Sequence, residues 1–100
     1  MIRVYIAGPM TGLPNFNYEA FFAARIALTA RGYEAVSPTE STNDVIVTEA
    51  EAKPWDFYMR LAIPLLLTCQ AIHLLEGWEK SRGARLERYI AVELGMEVIQ

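Results

Sequence analysis

Residues 77–87 read GWEKSRGARLE, and this stretch predicts how the chain folds. It follows a short apolar run at 71–75 (AIHLL) and precedes a segment, 82–94, with apolar residues at helical spacing. A strand, a turn that contains glycine and then a helix bring unpaired N–H groups together at one point, where the helix dipole also favours an anion. Glu87 would lie about one turn inside this helix. The stretch therefore predicts a ligand site beyond the end of a strand, with Glu87 facing it.

Length and composition limit the class of protein. A chain of 100 residues, 53% hydrophobic and 21% charged, predicts a single globular domain over residues 1–100. The net charge of −3 favours a small ligand over a nucleic acid polymer. One cysteine and one histidine disfavour a zinc site, and no motif indicates a metal or another cofactor. The longest apolar run, 61–67, is too short to span a membrane, and no signal peptide is evident, so we expect a cytoplasmic protein.

The hydrophobic pattern alternates between strands and helices. It predicts strands at 2–7, 33–36, 71–75 and 96–99, and helices at 18–30, 55–67 and 82–94. Asn17 is expected to cap the first helix, Pro64 to kink or restart the second, and residues 39–53 to form a loop with a helical turn near 49–52. Such alternation indicates a three-layer α/β sandwich around a small parallel sheet of about four strands, flavodoxin-like or Rossmann-like. Its ligand is expected at the carboxyl ends of the strands, near the switch in strand order.

The loop after the first strand, Gly8–Gly12 (GPMTG), allows two interpretations. It has neither the dinucleotide-binding nor the P-loop glycine pattern. It is either a plain strand-to-helix turn or a backbone cradle for a phosphate or sugar hydroxyl, with Thr11 as an added donor.

Single side chains also allow more than one interpretation. Glu87 is either a solvated helix carboxylate or a carboxylate that attacks an electrophilic carbon. Tyr5 is either a core residue or a hydroxyl that orients a ligand or a carboxylate. Trp78 either covers its loop or offers a stacking surface for a base. His73 and Cys69 are expected to be a hydrogen-bonded core histidine and an inert buried thiol.

Two segments resemble the nucleoside 2-deoxyribosyltransferase-like proteins. Residues 5–12 (YIAGPMTG) resemble the opening of that family, and residues 81–87 (SRGARLE) look like its later S-x-G-x-x-x-E motif. The sequence is most similar to a phage- and prophage-associated subgroup classed as a domain of unknown function. Its features match YMR at 58–60, GWEKSRGA at 77–84 and LGM at 94–96.

The resemblance implies chemistry at an N-glycosidic bond. Glu87 would attack C1′ of a 2′-deoxyribonucleoside or its 5′-monophosphate, and Tyr5 would be the active-site tyrosine. The remaining positions would bind substrate. The sugar or phosphate would contact the first loop through Gly8, Pro9, Met10 and Thr11. A 5′-phosphate would bind to the second loop through Ser81 and Gly83. The family also implies a homodimer whose neighbouring subunit helps to close the pocket.

The sequence departs from its relatives at two acidic positions. Ala62 and Gln70 stand where the relatives usually carry Asp, and the first of these Asp residues assists proton handling at the base. Asp44 or Asp56 would have to replace it. Two functions therefore stay open: an N-glycosidic bond hydrolase or transferase with Glu87 as nucleophile, and a catalytically impaired nucleotide-binding module, for example a phage accessory protein.

Overall fold

The computed structural model describes residues 1–10, 13–38 and 54–100. Thr11 and Asp44, and with them the loop and helical turn predicted within 39–53, lie outside the described residues. In chain order, the strands and α-helices are β1 Arg3–Ala7, α1 Tyr18–Ala30, β2 Glu34–Val36, α2 Trp55–Leu66, β3 Ala71–Leu74, α3 Arg82–Glu93 and β4 Glu97–Ile99. Every predicted strand and helix is confirmed, with ends that differ by at most one residue.

The four strands form one parallel sheet in the order β2-β1-β3-β4. β1 lies in the middle, with Tyr5 opposite Val36 of β2 on one side and Ile72 of β3 on the other. This is the flavodoxin-like order, and it decides between the two predicted topologies. The chain crosses from β2 over β1 to β3, so the order switches between β1 and β3. The loops after these two strands therefore flank the switch point, where ligands bind in such sheets.

Helices cover both faces of the sheet, which gives the predicted three layers. Along β1, side chains point to alternate faces. Val4 and Ile6 pack with Phe21 and Leu28 of α1. On the opposite face, Tyr5 and Ala7 pack with buried residues of α2 and α3, namely Leu66, Ala84 and Ala91. In the described part of the chain, no helix is long and apolar enough to cross a membrane.

Two helix ends differ from the sequence-based expectation. Asn17 occupies the position before α1, but its backbone is left-handed and its side chain forms no capping hydrogen bond. The pattern predicts that α3 extends to Leu94, but the helix ends at Glu93, and Leu94 is 61% exposed. Pro64 is accommodated within α2, which ends two residues later at Leu66.

Candidate active site

Glu87 is buried on the face of α3 that packs against the sheet. Only 5% of the residue is exposed, and it lies one turn beyond Gly83. The hydroxyl of Tyr5, on the central strand β1, donates a hydrogen bond to Oε2 of Glu87. The other carboxylate oxygen, Oε1, has no hydrogen-bond partner among the described residues. Both interpretations of Tyr5 therefore hold, since it is a core residue whose hydroxyl orients a carboxylate.

Burial determines the acid–base properties of this pair. Desolvation raises the pKa of Glu87 to about 7, against an opposing effect of the Tyr5 hydrogen bond. The pKa of Tyr5 is raised well above its usual value, mainly by burial and then by the negative charge of Glu87. Tyr5 therefore stays protonated and acts as a donor near neutral pH, whereas Glu87 changes charge there. A carboxyl group that titrates near pH 7 can act as a nucleophile or as a general acid or base.

The first loop leaves β1 next to the end of β3. The Leu75 N–H donates to the Ala7 carbonyl over 2.8 Å, so the two strand ends are held together. A Cβ on Gly8 would lie 2.6 Å from the Leu75 Cβ, which means that only glycine fits there. The predicted substrate-binding residues Gly8, Pro9 and Met10 thus begin at the switch point, on the chain that also carries Tyr5.

The second loop turns tightly between β3 and α3. Gly77 has a φ of +86°, a conformation that favours glycine, and a Cβ there would contact the Pro9 ring at 3.4 Å. The loops after β1 and β3 therefore touch. Ser81 caps α3: its Oγ accepts from the Ala84 N–H at 3.1 Å and its carbonyl oxygen accepts from the Arg85 N–H at 2.9 Å. The oxygen of the Ser81 hydroxyl thus already bonds to the helix, and only its proton remains to be donated to a ligand.

Gly83 faces helix α2. A Cβ at this position would lie 3.1 Å from the Met59 sulfur and 3.6 Å from the Trp55 Nε1. The guanidinium of Arg82 stacks on the Trp55 ring, 3.7 Å from its centroid. Gly83 therefore permits close packing of α2 on α3 at the start of both helices. The sequence indicates no role for Trp55, because a lone aromatic residue beside Pro54 does not show which side chain it will contact.

Trp78 is half-buried against the apolar core that contains Tyr5 and Leu66. The guanidinium of Arg88 lies 5.0 Å from the centre of its ring. Trp78 therefore covers its loop, which is the structural one of its two predicted roles. A base could stack only on the part of this ring that the core residues and Arg88 leave uncovered.

Two further predictions concern core residues. The half-buried ring of His73 places Nδ1 2.9 Å from the Ile99 carbonyl oxygen, so Nδ1 carries the proton and donates to β4. Cys69 is buried as a free thiol, and burial raises its pKa. His73 is thus the hydrogen-bonded histidine that was expected, and Cys69 is the expected buried thiol. Among the described residues, no group of three or more His, Cys, Asp or Glu side chains could hold a metal ion.

The two positions without Asp lie in different parts of the fold. Ala62 is 5% exposed, on the same buried side of α2 as Met59 and Leu66. Gln70 precedes β3 at the amino ends of the strands, where its Oε1 accepts a hydrogen bond from the Arg3 N–H at 2.9 Å. Gln70 is therefore remote from the carboxyl ends of the strands. Asp56 is exposed and lies 3.5 Å from Nε of Arg60, its neighbour one turn along α2.

The fold is similar to that of a 2-desoxiribosyltransferase from Leishmania mexicana. The TM-score is 0.68 at 19% sequence identity, and the match covers 99% of this chain and 63% of the transferase chain. The chain thus spans less than two thirds of the length of that protein. No curated protein matches the sequence.

A family model matches almost the whole sequence, from residue 2 to residue 100. Its description is a domain of unknown function, as the sequence motifs predicted, and the association with phages stays a prediction. The similarity to the transferase concerns the fold. The chain belongs to the family described as "Domain of unknown function (DUF4406)".

Proposed function

We propose that the protein cleaves or transfers the N-glycosidic bond of a 2′-deoxyribonucleoside or its 5′-monophosphate, with Glu87 as the nucleophile. The observation that carries the proposal is the Tyr5–Glu87 pair: a carboxyl group, 5% exposed, with one oxygen oriented by a tyrosine and the other unpartnered among the described residues. Burying a carboxylate is costly unless hydrogen bonds or an opposite charge compensate, and most glutamates are therefore exposed. The fold shared with a 2-desoxiribosyltransferase supports the choice of bond.

In the proposed reaction, one Glu87 oxygen attacks C1′ as the bond from C1′ to the base nitrogen breaks. The bonding electron pair leaves with the base, which takes a proton from water. The sugar is then bound to Glu87 as an ester, and water or a second base attacks C1′ and releases the carboxylate. The Tyr5 hydroxyl holds the carboxylate in one orientation throughout. The first-loop residues Gly8, Pro9 and Met10 would contact the sugar, and Thr11, outside the described residues, stays a proposed donor.

A second function, nucleotide binding without turnover, is favoured by one observation. Glu87 is the only buried charged side chain among the described residues, and Ala62 occupies the position where the family resemblance implies an acid. An N-glycosidic bond breaks slowly unless the leaving base is protonated. A protein with this site and no general acid would hold a nucleotide and leave it intact.

The proposed assembly is a homodimer. Phe22 and Ile26, one turn apart on α1, are 66% and 57% exposed, and a second subunit that covered them would bury apolar surface. Equilibrium sedimentation tests this. A cytoplasmic location and an association with phage genomes remain predictions.

Incubation with the four 2′-deoxyribonucleosides and their 5′-monophosphates, with free base followed by chromatography, tests the reaction. We expect base release by the wild-type protein and a loss of about 10³-fold or more in Glu87→Gln. Glu93→Gln is the matched control, because Glu93 lies on the same helix but is exposed. It should retain the wild-type rate.

Two results would reject the hydrolase or transferase. One is equal base release by wild type and Glu87→Gln. The other is nucleotide binding in titration calorimetry with no base release, which supports the binding module instead. Affinities for nucleoside and nucleoside monophosphate that do not differ would count against Ser81 and the Gly83 amide as phosphate ligands.

A further inference from the structure

Three consecutive residues between the first loop and α1 have left-handed backbone conformations. Asn15, Phe16 and Asn17 have φ values of 49°, 53° and 63°. Asparagine tolerates this region, but phenylalanine and most other L-residues are disfavoured there. Runs of this kind persist only where surrounding contacts hold them, and they are concentrated at functional sites. We therefore expect this run to position a neighbouring group.

The left-handed run turns the side chain of Asn17 back onto the first loop. Its Nδ2 donates to the Pro9 carbonyl at 3.0 Å, across eight residues of sequence, and the contact is partly buried. Two backbone bonds extend the same connection, because the Leu13 N–H donates to the Met10 carbonyl at 3.3 Å and the Phe16 N–H to the Leu13 carbonyl at 3.0 Å. The peptide units on both sides of Met10 are thus held by the segment that follows.

Fixing the Pro9 carbonyl also fixes the next N–H group. A trans peptide unit is planar, and its C=O and N–H point in opposite directions. When the Pro9 oxygen points at Asn17, the Met10 N–H points away from it. No described residue accepts a hydrogen bond from this N–H. Met10 lies in the loop that leaves β1, the strand that carries Tyr5, and it is next to Pro9, which faces Gly77 of the second loop.

We propose that Asn17 is a positioning residue of the candidate site, which holds the Pro9 peptide so that the Met10 N–H donates to an oxygen of the ligand's sugar or 5′-phosphate. The ligand part of this statement rests on the proposed function. Asn17 itself does not touch the reacting atoms. The left-handed run is the backbone conformation that brings its amide group to the loop.

Three variants separate the hydrogen bond from the backbone conformation. Asn17→Asp keeps the size and conformational preference of the side chain but removes the donor. Asn17→Gly allows the left-handed backbone and removes the side chain. Asn15→Gly is the control, because Asn15 is exposed, has a φ of 49° in the same run and lies outside the contact with Pro9.

The first measurement is the ¹⁵N relaxation order parameter of the Met10 amide in the ligand-free protein. We expect a value near about 0.85 in wild type and Asn15→Gly, and a fall towards about 0.6 in both Asn17 variants. The second is calorimetric titration with the four deoxynucleosides and their monophosphates. Loss of one oriented hydrogen bond should weaken binding about fivefold in the Asn17 variants alone. A loss restricted to the monophosphates identifies a phosphate oxygen, and a loss for both series identifies a sugar oxygen.

An unchanged Met10 order parameter in Asn17→Asp, or an equal fall in Asn15→Gly, overturns the positioning role. Unchanged affinities in the Asn17 variants overturn the donation to the ligand. A wild-type protein that neither binds nor cleaves any of these compounds overturns the proposed function and the ligand part together. In that case the order parameter still decides whether Asn17 positions the loop.

Discussion

At the scale of single residues, the Tyr5–Glu87 pair sets the chemistry. Burial makes the charged form of Glu87 less favourable, and one hydrogen bond from Tyr5 compensates only in part, so the pKa of Glu87 stays at about 7. Because Tyr5 lies on β1 and Glu87 on α3, 82 residues later, the balance depends on how closely the helix packs on the sheet. The carboxyl group is therefore poised between its two charge states near neutral pH.

Removal of the Tyr5 hydroxyl should shift this balance in a known direction. The Tyr5 hydrogen bond lowers the pKa of Glu87, so in Tyr5→Phe we expect that pKa to rise further. A hydrogen bond to a charged group contributes about 1.5–3 kcal/mol, which corresponds to a rise of about one to two pH units. The ¹³C chemical shift of the Glu87 carboxyl carbon, followed against pH, measures it.

Tyr89→Phe is the control for this titration, because Tyr89 is on the same helix and 62% exposed. It should leave the Glu87 midpoint unchanged. A Tyr5→Phe midpoint at or below that of wild type would contradict the role assigned to the hydroxyl. If base release is observed, its rise with pH should move upward by the same amount, because the nucleophile must be ionised.

At the scale of elements, two glycines let neighbouring segments approach closely, but the contacts differ in stiffness. The Cβ that Gly8 lacks would meet the Cβ of Leu75, an atom fixed to the backbone beside β3. The Cβ that Gly83 lacks would meet the Met59 sulfur at 3.1 Å, near the far end of a flexible side chain. The first contact cannot adjust without moving the loop, whereas the second can.

This difference predicts unequal effects of the same substitution. We expect Gly8→Ala to lower the free energy of unfolding by about 2 kcal/mol or more, because overpacking here displaces backbone. Gly83→Ala should change it by less than about 1 kcal/mol, since the preference of alanine for a helix offsets a small shift of Met59. Urea denaturation of both variants measures the two values. Equal losses would show that the Gly8 loop can relax away from Leu75.

At the scale of the whole molecule, the buried carboxyl group links global stability to pH. The pKa of Glu87 is about 7 in the folded protein, and the reference value of 4.5 applies to the unfolded chain. The folded state thus binds the proton more tightly, and stability falls as pH rises between these two values. The difference of about 2.5 pH units corresponds to a loss of about 3 kcal/mol by pH 8.

The loss should be absent from Glu87→Gln. This variant cannot ionise, and its side-chain carbonyl can still accept from Tyr5. We therefore expect the free energy of unfolding of the variant, measured in urea from pH 4 to pH 8, to exceed that of wild type increasingly as the pH rises. Parallel curves for the two proteins would mean that Glu87 is ionised in the fold with little cost.

The elements and their order follow from local features of the sequence. The signals are local: apolar runs such as 71–75, the stop at Gly8 and Pro9, and the helical spacing after Ser81. They predict each strand and helix to within one residue. Alternation of strands and helices then implied parallel pairing. The position of Glu87 one turn into α3 followed from its distance from Ser81.

Contacts between side chains that are distant in sequence depend on how the elements pack. Three features join residues that are distant in sequence. They are the strand order β2-β1-β3-β4 rather than the Rossmann order, the hydrogen bond from Tyr5 to Glu87, and the contact of Asn17 with Pro9. Asn17 was predicted to cap a helix, and nothing local indicates its left-handed backbone. Local propensities fix φ and ψ, but the contacts between elements depend on the packing of the whole chain. This packing buries Glu87, and burial raises the pKa of its carboxyl group.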